Sequence, residues 1–172
     1  MRRVAVIGNA AGGKSTLARV IAKAHDLPYH EIDAVLWRAD WTAVPEADFR
    51  VWHDAVIEGQ TWVLDGFGSW DSVESRFARA DTIVLVDLPL WVHFWWAAER
   101  QIAWAQGQAG AVPAGHSEPP PNEELFKMIW DLDRQSMPRL REMVAAAERE
   151  GKSVYWLRSQ RDLAAFQALQ ER

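Results

Sequence analysis

Arg3-Val4-Ala5-Val6-Ile7-Gly8-Asn9-Ala10-Ala11-Gly12-Gly13-Lys14-Ser15-Thr16 decides the fold. A short run of apolar residues leads into a glycine-rich loop, and the loop leads into a helical pattern. From Gly8 to Ser15 the chain fits G-x-x-x-x-G-K-[ST] in full, in the strand-loop-helix setting that turns this motif into a phosphate cradle. Its glycines allow backbone conformations that a Cβ forbids, so successive N–H groups turn inward. The helix that follows adds the positive end of its dipole. Lys14 is expected to reach the β and γ phosphates of ATP, with Ser15 as a Mg²⁺ ligand and Thr16 at the α phosphate. Gly8, Asn9, Ala10, Ala11, Gly12 and Gly13 are expected to line the cradle. A plain strand-to-helix turn would not require Lys followed by Ser here.

Outward from this loop, strand and helix signals alternate. Apolar runs at 3–7, 29–32, 61–64, 82–86 and 153–157 are separated by helix-length segments, which predicts an α/β fold with a parallel sheet. The unbroken apolar run Ile83-Val84-Leu85-Val86 predicts a strand covered on both faces. Helices are expected over 14–25, 46–58, 70–79, 90–106, 122–150 and 162–170, with Pro138 breaking or kinking the fifth. The stretch 107–121 has three glycines and four prolines, so it reads as a loop. His116 within it reads as a solvated loop residue.

The bulk composition narrows the function. At 172 residues and 49% apolar content the chain is the size of one domain with one core. The absence of cysteine excludes disulfides and thiolate-held zinc, and the five histidines are scattered. A net charge of -5 argues against broad contact with a nucleic-acid backbone. The most apolar region, 82–98, is interrupted by Asp87, Pro89 and His93 and reads as strand then helix, not as a membrane span. The apolar run at 4–7 is too short for a signal peptide, so a cytoplasmic location is expected.

Several further residues are candidates for chemistry. Trp62-Val63-Leu64-Asp65-Gly66 is an apolar strand ending in a carboxylate, and Asp65 is expected to hold a Mg²⁺-bound water. Asp33 follows the second strand, where it either orients and deprotonates an acceptor hydroxyl or caps the next helix. Arg76 and Arg79 precede the fourth strand; they bind an acceptor anion or face solvent at a helix end. Most of the eleven tryptophans are expected in the core. Trp37 and Trp41, spaced one helical turn apart, are the better candidates to touch a ligand, while Trp91, Trp95, Trp96 and Trp104 crowd one helix and can form a pocket or a dimer contact. Arg158 follows the last strand, at the sheet edge where the nucleotide is expected.

The strand, phosphate loop, helix and later Asp65-Gly66-Phe67 resemble the adenylate kinase group of nucleoside and small-molecule kinases. A closer likeness runs through Asp33 to Trp37, Trp41, Phe49, Asp65-Gly66, Ala80 to Ile83, Asp87-Leu88-Pro89, Leu125 to Trp130, the Arg139 region and Gly151 to Ser159. In order and spacing these are similar to the adenylate-kinase-related family often labelled "DNA topology modulation protein". The resemblance implies a three-layer α/β/α P-loop domain whose five parallel strands run in order 2-3-1-4-5. It also implies an acceptor-binding helical segment near 34–60, including Gly66 at its rim, and a lid near 101–122.

The chain departs from that pattern at three places. Gly68-Ser69 stand where adenylate kinases have Pro-Arg, which puts a nucleoside monophosphate acceptor in question. Trp96 replaces one arginine of the helix after Asp87-Leu88-Pro89, leaving Arg100 as the match, and the lid has no arginine. An ATP- and Mg²⁺-dependent phosphotransferase acting on a nucleotide or other small molecule is expected, as a monomer or homodimer. Two other readings stay open: a nucleotide-sensing regulator with little catalysis, and a DNA-topology-associated regulator.

Overall fold

Five parallel strands form one sheet in the order β2-β3-β1-β4-β5. They are β1 (Arg3–Gly8), β2 (Tyr29–Glu31), β3 (Trp62–Asp65), β4 (Thr82–Val86) and β5 (Ser153–Leu157). The structure is a computed structural model and describes residues 1–108 and 119–171. The helices are α1 (Lys14–His25), α2 (Asp33–Leu36), α3 (Glu46–Ile57), α4 (Trp70–Arg79), α5 (Leu90–Ala105), α6 (Asn122–Asp131), α7 (Met137–Arg149) and α8 (Gln160–Gln170). Strand order and every expected strand agree with the sequence reading to within a residue.

Alternation along β1 explains why its apolar run is continuous. Ala5 and Ile7 face a core shared with Phe49, Val73, Phe77, Leu140 and Val144, from α3, α4 and α7. Val4 and Val6 face the opposite core, with Leu17 and Ile21 from α1 and Leu163 and Phe166 from α8. Both faces are thus covered, as a parallel sheet requires. Two helix starts are fixed by serine. Ser69 and Ser72 form a reciprocal capping box on α4, and the Asp162 N–H donates to Ser159 Oγ at 3.1 Å on α8.

The expected long helix over 122–150 is real but contains a wide turn. Between α6 and α7 the chain runs as π-helix over Leu132–Ser136, and Pro138 sits in the first turn of α7. Pro138 has no N–H to give to the carbonyl four residues back, and the wider turn absorbs that lost bond. The expected tryptophan core needs correction. Trp62 is fully buried, but Trp91, Trp95 and Trp130 are exposed and the others are half-buried. Of the half-buried rings, Trp52, Trp70 and Trp156 pack against one core and Trp96 against the other.

Asp87, at the end of β4, ties the sheet to α7. Its carboxylate accepts from Arg141 Nε and Nη2 and from Trp156 Nε1 at 2.8–3.1 Å. Burial would raise its pKa, but these donors hold it below the usual carboxylate range. Among the described residues no helix is long and apolar enough to cross a membrane.

Substitution of Leu85, wholly buried in β4, by alanine is expected to cost about 3 kcal/mol in urea unfolding. Val51→Ala, at a position 74% exposed, is expected to change stability by less than about 0.5 kcal/mol.

Candidate functional site

Because all strands are parallel, β1, β2 and β3 deliver their last residues to the same sheet edge, the usual ligand side of such folds. From β1 the loop takes positive φ at Gly8 (146°), Ala11 (54°) and Gly13 (77°), the alternating backbone that makes a nest of N–H groups. Gly13 is the N-cap of α1, and no side chain caps that helix. Its first-turn N–H groups therefore keep their capacity for an anion. The first turn also has no acidic residue to compete for that place.

Charge is concentrated in front of this nest. Lys14 Nζ donates to the Asn9 carbonyl at 2.7 Å. Burial lowers the Lys14 pKa, and the fields of Asp33 and Asp65 oppose that shift. Asp65 is 1% exposed and accepts from the Tyr29 hydroxyl at 3.1 Å. Burial pushes its carboxyl up to about 6, with Asp33 and Glu31 adding to the rise, while a hydrogen bond from Ser15 and the charge of Lys14 resist it. Burial likewise raises the Tyr29 phenol.

Asp33 is the first residue of α2, whose N-cap is Ile32, so the capping role is not the one its carboxylate plays. Its field instead reaches Lys14, Asp65 and Arg100. Arg100 lies over the Trp104 ring, with Cζ 5.2 Å from the ring centroid. Thr16 is exposed on the first turn of α1, and Gly66 continues from Asp65. At the other end of the sheet edge, Arg158 lies over Trp156 at 4.5 Å, and its N–H donates to Asp162 Oδ2.

The two arginines of α4 have separate surroundings. Arg79 is exposed, whereas Arg76 is wholly buried, so the solvent-facing alternative does not hold for it. Arg76 Nη2 donates to the Phe67 carbonyl at 3.1 Å, while Nε and Nη1 are buried without a partner. Burial lowers its pKa to about 10, against the attraction of Asp65. Trp37 and Trp41 do not share a helical face. α2 ends at Leu36, Trp37 pairs with Ala43 in an antiparallel bridge, and Trp41 has φ 62°. Asp40 accepts from the Thr42 N–H and hydroxyl and stabilises this reversal, which the four-residue spacing does not reveal.

Two groups, one half-buried and one buried, escaped the sequence reading. Tyr29 reaches Asp65 from β2, with no signal beyond its position in a strand. His93 of α5 is 1% exposed, and its Nδ1 lies 2.8 Å from the Ala10 carbonyl of the loop. A histidine inside a strongly apolar stretch was the available signal, read only as an interruption. Asn9 is also a link, because its Nδ2 donates to the Ile129 carbonyl of α6 at 2.9 Å. His116 and residues 109–118 of the expected lid lie outside the described residues.

The donor set suits magnesium with a polyphosphate. Among the described residues there is no group of three or more His, Cys, Asp or Glu able to enclose a metal ion. One hydroxyl and one carboxylate, Ser15 and Asp65, match an ion that takes most of its ligands from water and phosphate. Burial is the main cause of the raised pKa of Asp65, and a bound cation would favour its charged form.

No family model matches the chain, and no curated protein matches it. Among solved structures, it is similar to the shikimate kinase from Acinetobacter baumannii in complex with shikimate. That likeness has a TM-score of 0.60 and 14% identity, covering 98% of this chain and 90% of that chain. Looser likenesses are to the shikimate kinase of Aquifex aeolicus (TM-score 0.45, 15% identity, 78% and 98% covered) and a gluconokinase of Sinorhizobium meliloti (0.43, 17%, 82% and 97%). The chain shares its fold with the Acinetobacter baumannii shikimate kinase.

The raised pKa of Asp65 makes its charge a burden on the fold. Protonation stabilises the native state below the unfolded value of 3.8, and this stabilisation is lost as pH rises through about 6. Asp65→Asn is expected to be more stable than the wild type at pH 7.5 by roughly 1–3 kcal/mol, with the gap closing toward pH 4 in paired urea titrations.

Proposed function

We propose that this protein is an ATP- and Mg²⁺-dependent phosphotransferase acting on a small hydroxyl-bearing acceptor. The observation that carries the reading is the uncapped start of α1 behind a loop of alternating positive φ, faced by Lys14, Asp33 and Asp65 on one sheet edge. Similarity of fold to a shikimate kinase supports the reaction class. In this reading the amides of residues 8–16 and Lys14 hold the phosphates, and Arg158 lies beside the adenine. Bound Mg²⁺, held by Ser15 and through water by Asp65, would supply charge neutralisation at the phosphates.

This chain's residues do the rest. Asp33 orients the acceptor hydroxyl and takes its proton, since its carboxylate faces Lys14 and Arg100 and is not used as a cap. Lys14 and Arg100 stabilise charge developing on the transferred group. Gly66 and the reversal carrying Trp37 and Trp41 border the acceptor, within a segment of residues 34–60. Residues 101–122 take the place of a lid on the single domain. Arg76 keeps two buried nitrogens without a partner, so a carboxylate or phosphate of the acceptor reaching this loop would find an unsatisfied guanidinium charge there. The nearer resemblance, to the family labelled for DNA topology, is compatible with this chemistry. The net charge of -5 weighs against a role on DNA.

Incubation with Mg-ATP and a panel of hydroxy acids, sugars, polyols and nucleotides is expected to yield one phosphorylated product. Lys14→Ala is expected to lower turnover roughly a hundredfold, and Asp33→Asn to lower kcat with little change in ATP affinity. ATP binding with no transfer to any acceptor would favour the nucleotide-sensing reading, and unchanged turnover in Lys14→Ala would overturn the site.

A further inference from the structure

The phosphate loop is braced from behind by a side chain 83 residues away. His93 lies in the second turn of α5, below the loop, and is 1% exposed. Its Nδ1 is 2.8 Å from the Ala10 oxygen. A carbonyl can only accept, so the hydrogen of this bond sits on Nδ1. The contact is close on a second side too. A Cβ at Gly12 would lie 2.9 Å from His93 Cε1 and 3.3 Å from Nδ1, so the imidazole occupies the space that a side chain at residue 12 would need.

The direction of one carbonyl matters because a trans peptide is planar. Its C=O and the next N–H point to opposite sides. Holding the Ala10 oxygen toward α5 therefore aims the Ala11 N–H away from α5. The Ala10 N–H is already taken by Asn9 Oδ1 at 2.7 Å, so the loop has few free amides, and the direction of each counts. Ala11 itself sits at φ 54°, a conformation that favours glycine and is kept only when its surroundings enforce it. A carbonyl turned the other way would present its negative end to a phosphate. Burial, with the Lys14 charge, lowers the imidazole's pKa against the carbonyls of Ala10 and Leu88 and the charge of Asp133, which favours a neutral ring; the Ala10 contact places its hydrogen on Nδ1.

We propose that His93 is a positioning residue of the phosphate loop: by fixing the Ala10–Ala11 peptide plane, it aims the Ala11 amide at a bound polyphosphate. The proposal rests on the ATP reading above and adds to it a residue outside the sequence motif. It also accounts for Gly12 as a point of close approach to α5, separate from its part in the turn.

The test pairs two variants and two ligands. His93→Asn keeps a donor near the place of Nδ1, and His93→Leu keeps comparable bulk without one. Calorimetry with Mg-ATP and with magnesium tripolyphosphate, which has no base or sugar, reads the loop directly. His93→Leu is expected to weaken both ligands by about tenfold, the scale of one hydrogen bond, while His93→Asn stays within about twofold of wild type. Wild-type affinity in His93→Leu, or equal loss in both variants, would overturn the proposal, the second outcome marking a packing role. If His93→Leu does not fold, the ligand-free wild type still decides: nitrogen NMR shifts are expected to report a hydrogen on Nδ1, and a ring protonated only at Nε2 would refute it. Absence of Mg-ATP binding by a wild type with the Nδ1 hydrogen in place would instead remove the ATP reading.

Discussion

The parallel ladder of β1 with β3 and β4 is the constraint from which the rest follows. It sets Val4 beside Val63 on one side and Thr82 on the other, so the ends of three strands reach the same edge in step. A strand buried on both faces cannot carry polar side chains along its length. Polar groups that must meet are therefore pushed to the ends, and Asp65, Asp33 and the loop after Gly8 gather there.

Electrostatics at that edge is costly to the protein. Two carboxylates face a half-buried ammonium, and one of them is pushed up to about 6 while the ammonium is pushed down. A structural ion pair would settle into mutual stabilisation. Here Lys14 instead donates to a backbone carbonyl of its own loop. Such incompletely matched charge is characteristic of sites that bind a charged partner. α1 adds the same imbalance in another form, since its first-turn amides have no side-chain cap.

Much of this was legible in the chain. Periodicity located all five strands, and G-x-x-x-x-G-K-[ST] located the nest, because both depend on local spacing alone. The likeness to adenylate-kinase relatives supplied the strand order. The reversal at 37–43 was not legible, because a four-residue spacing of aromatics serves a helix and a turn equally. The turn was decided by Asp40 and by the short α2. The His93 contact spans 83 positions, and Tyr29 reaches Asp65 across 36; no local pattern records either. The wide turn after Asp131 was half legible: Pro138 announced a disturbance, but not that the helix would widen instead of bending.

The departure from the adenylate kinase pattern at Gly68-Ser69 has a steric cause in this structure. Gly68 has φ 73°, and a Cβ there would lie 2.9 Å from Phe49 Cζ and 2.7 Å from Ser72 Oγ. Proline, fixed near φ -65°, fits neither the angle nor the space. Ser69 is committed to the capping box of α4, so the position that would carry an arginine instead starts a helix. A guanidinium is nevertheless present beside the same loop, because Arg76 reaches back from the second turn of α4 to the Phe67 carbonyl. The guanidinium of this chain thus lies behind the loop. There it is fully buried and two of its nitrogens have no partner, an arrangement that is expensive unless something negative arrives to complete it.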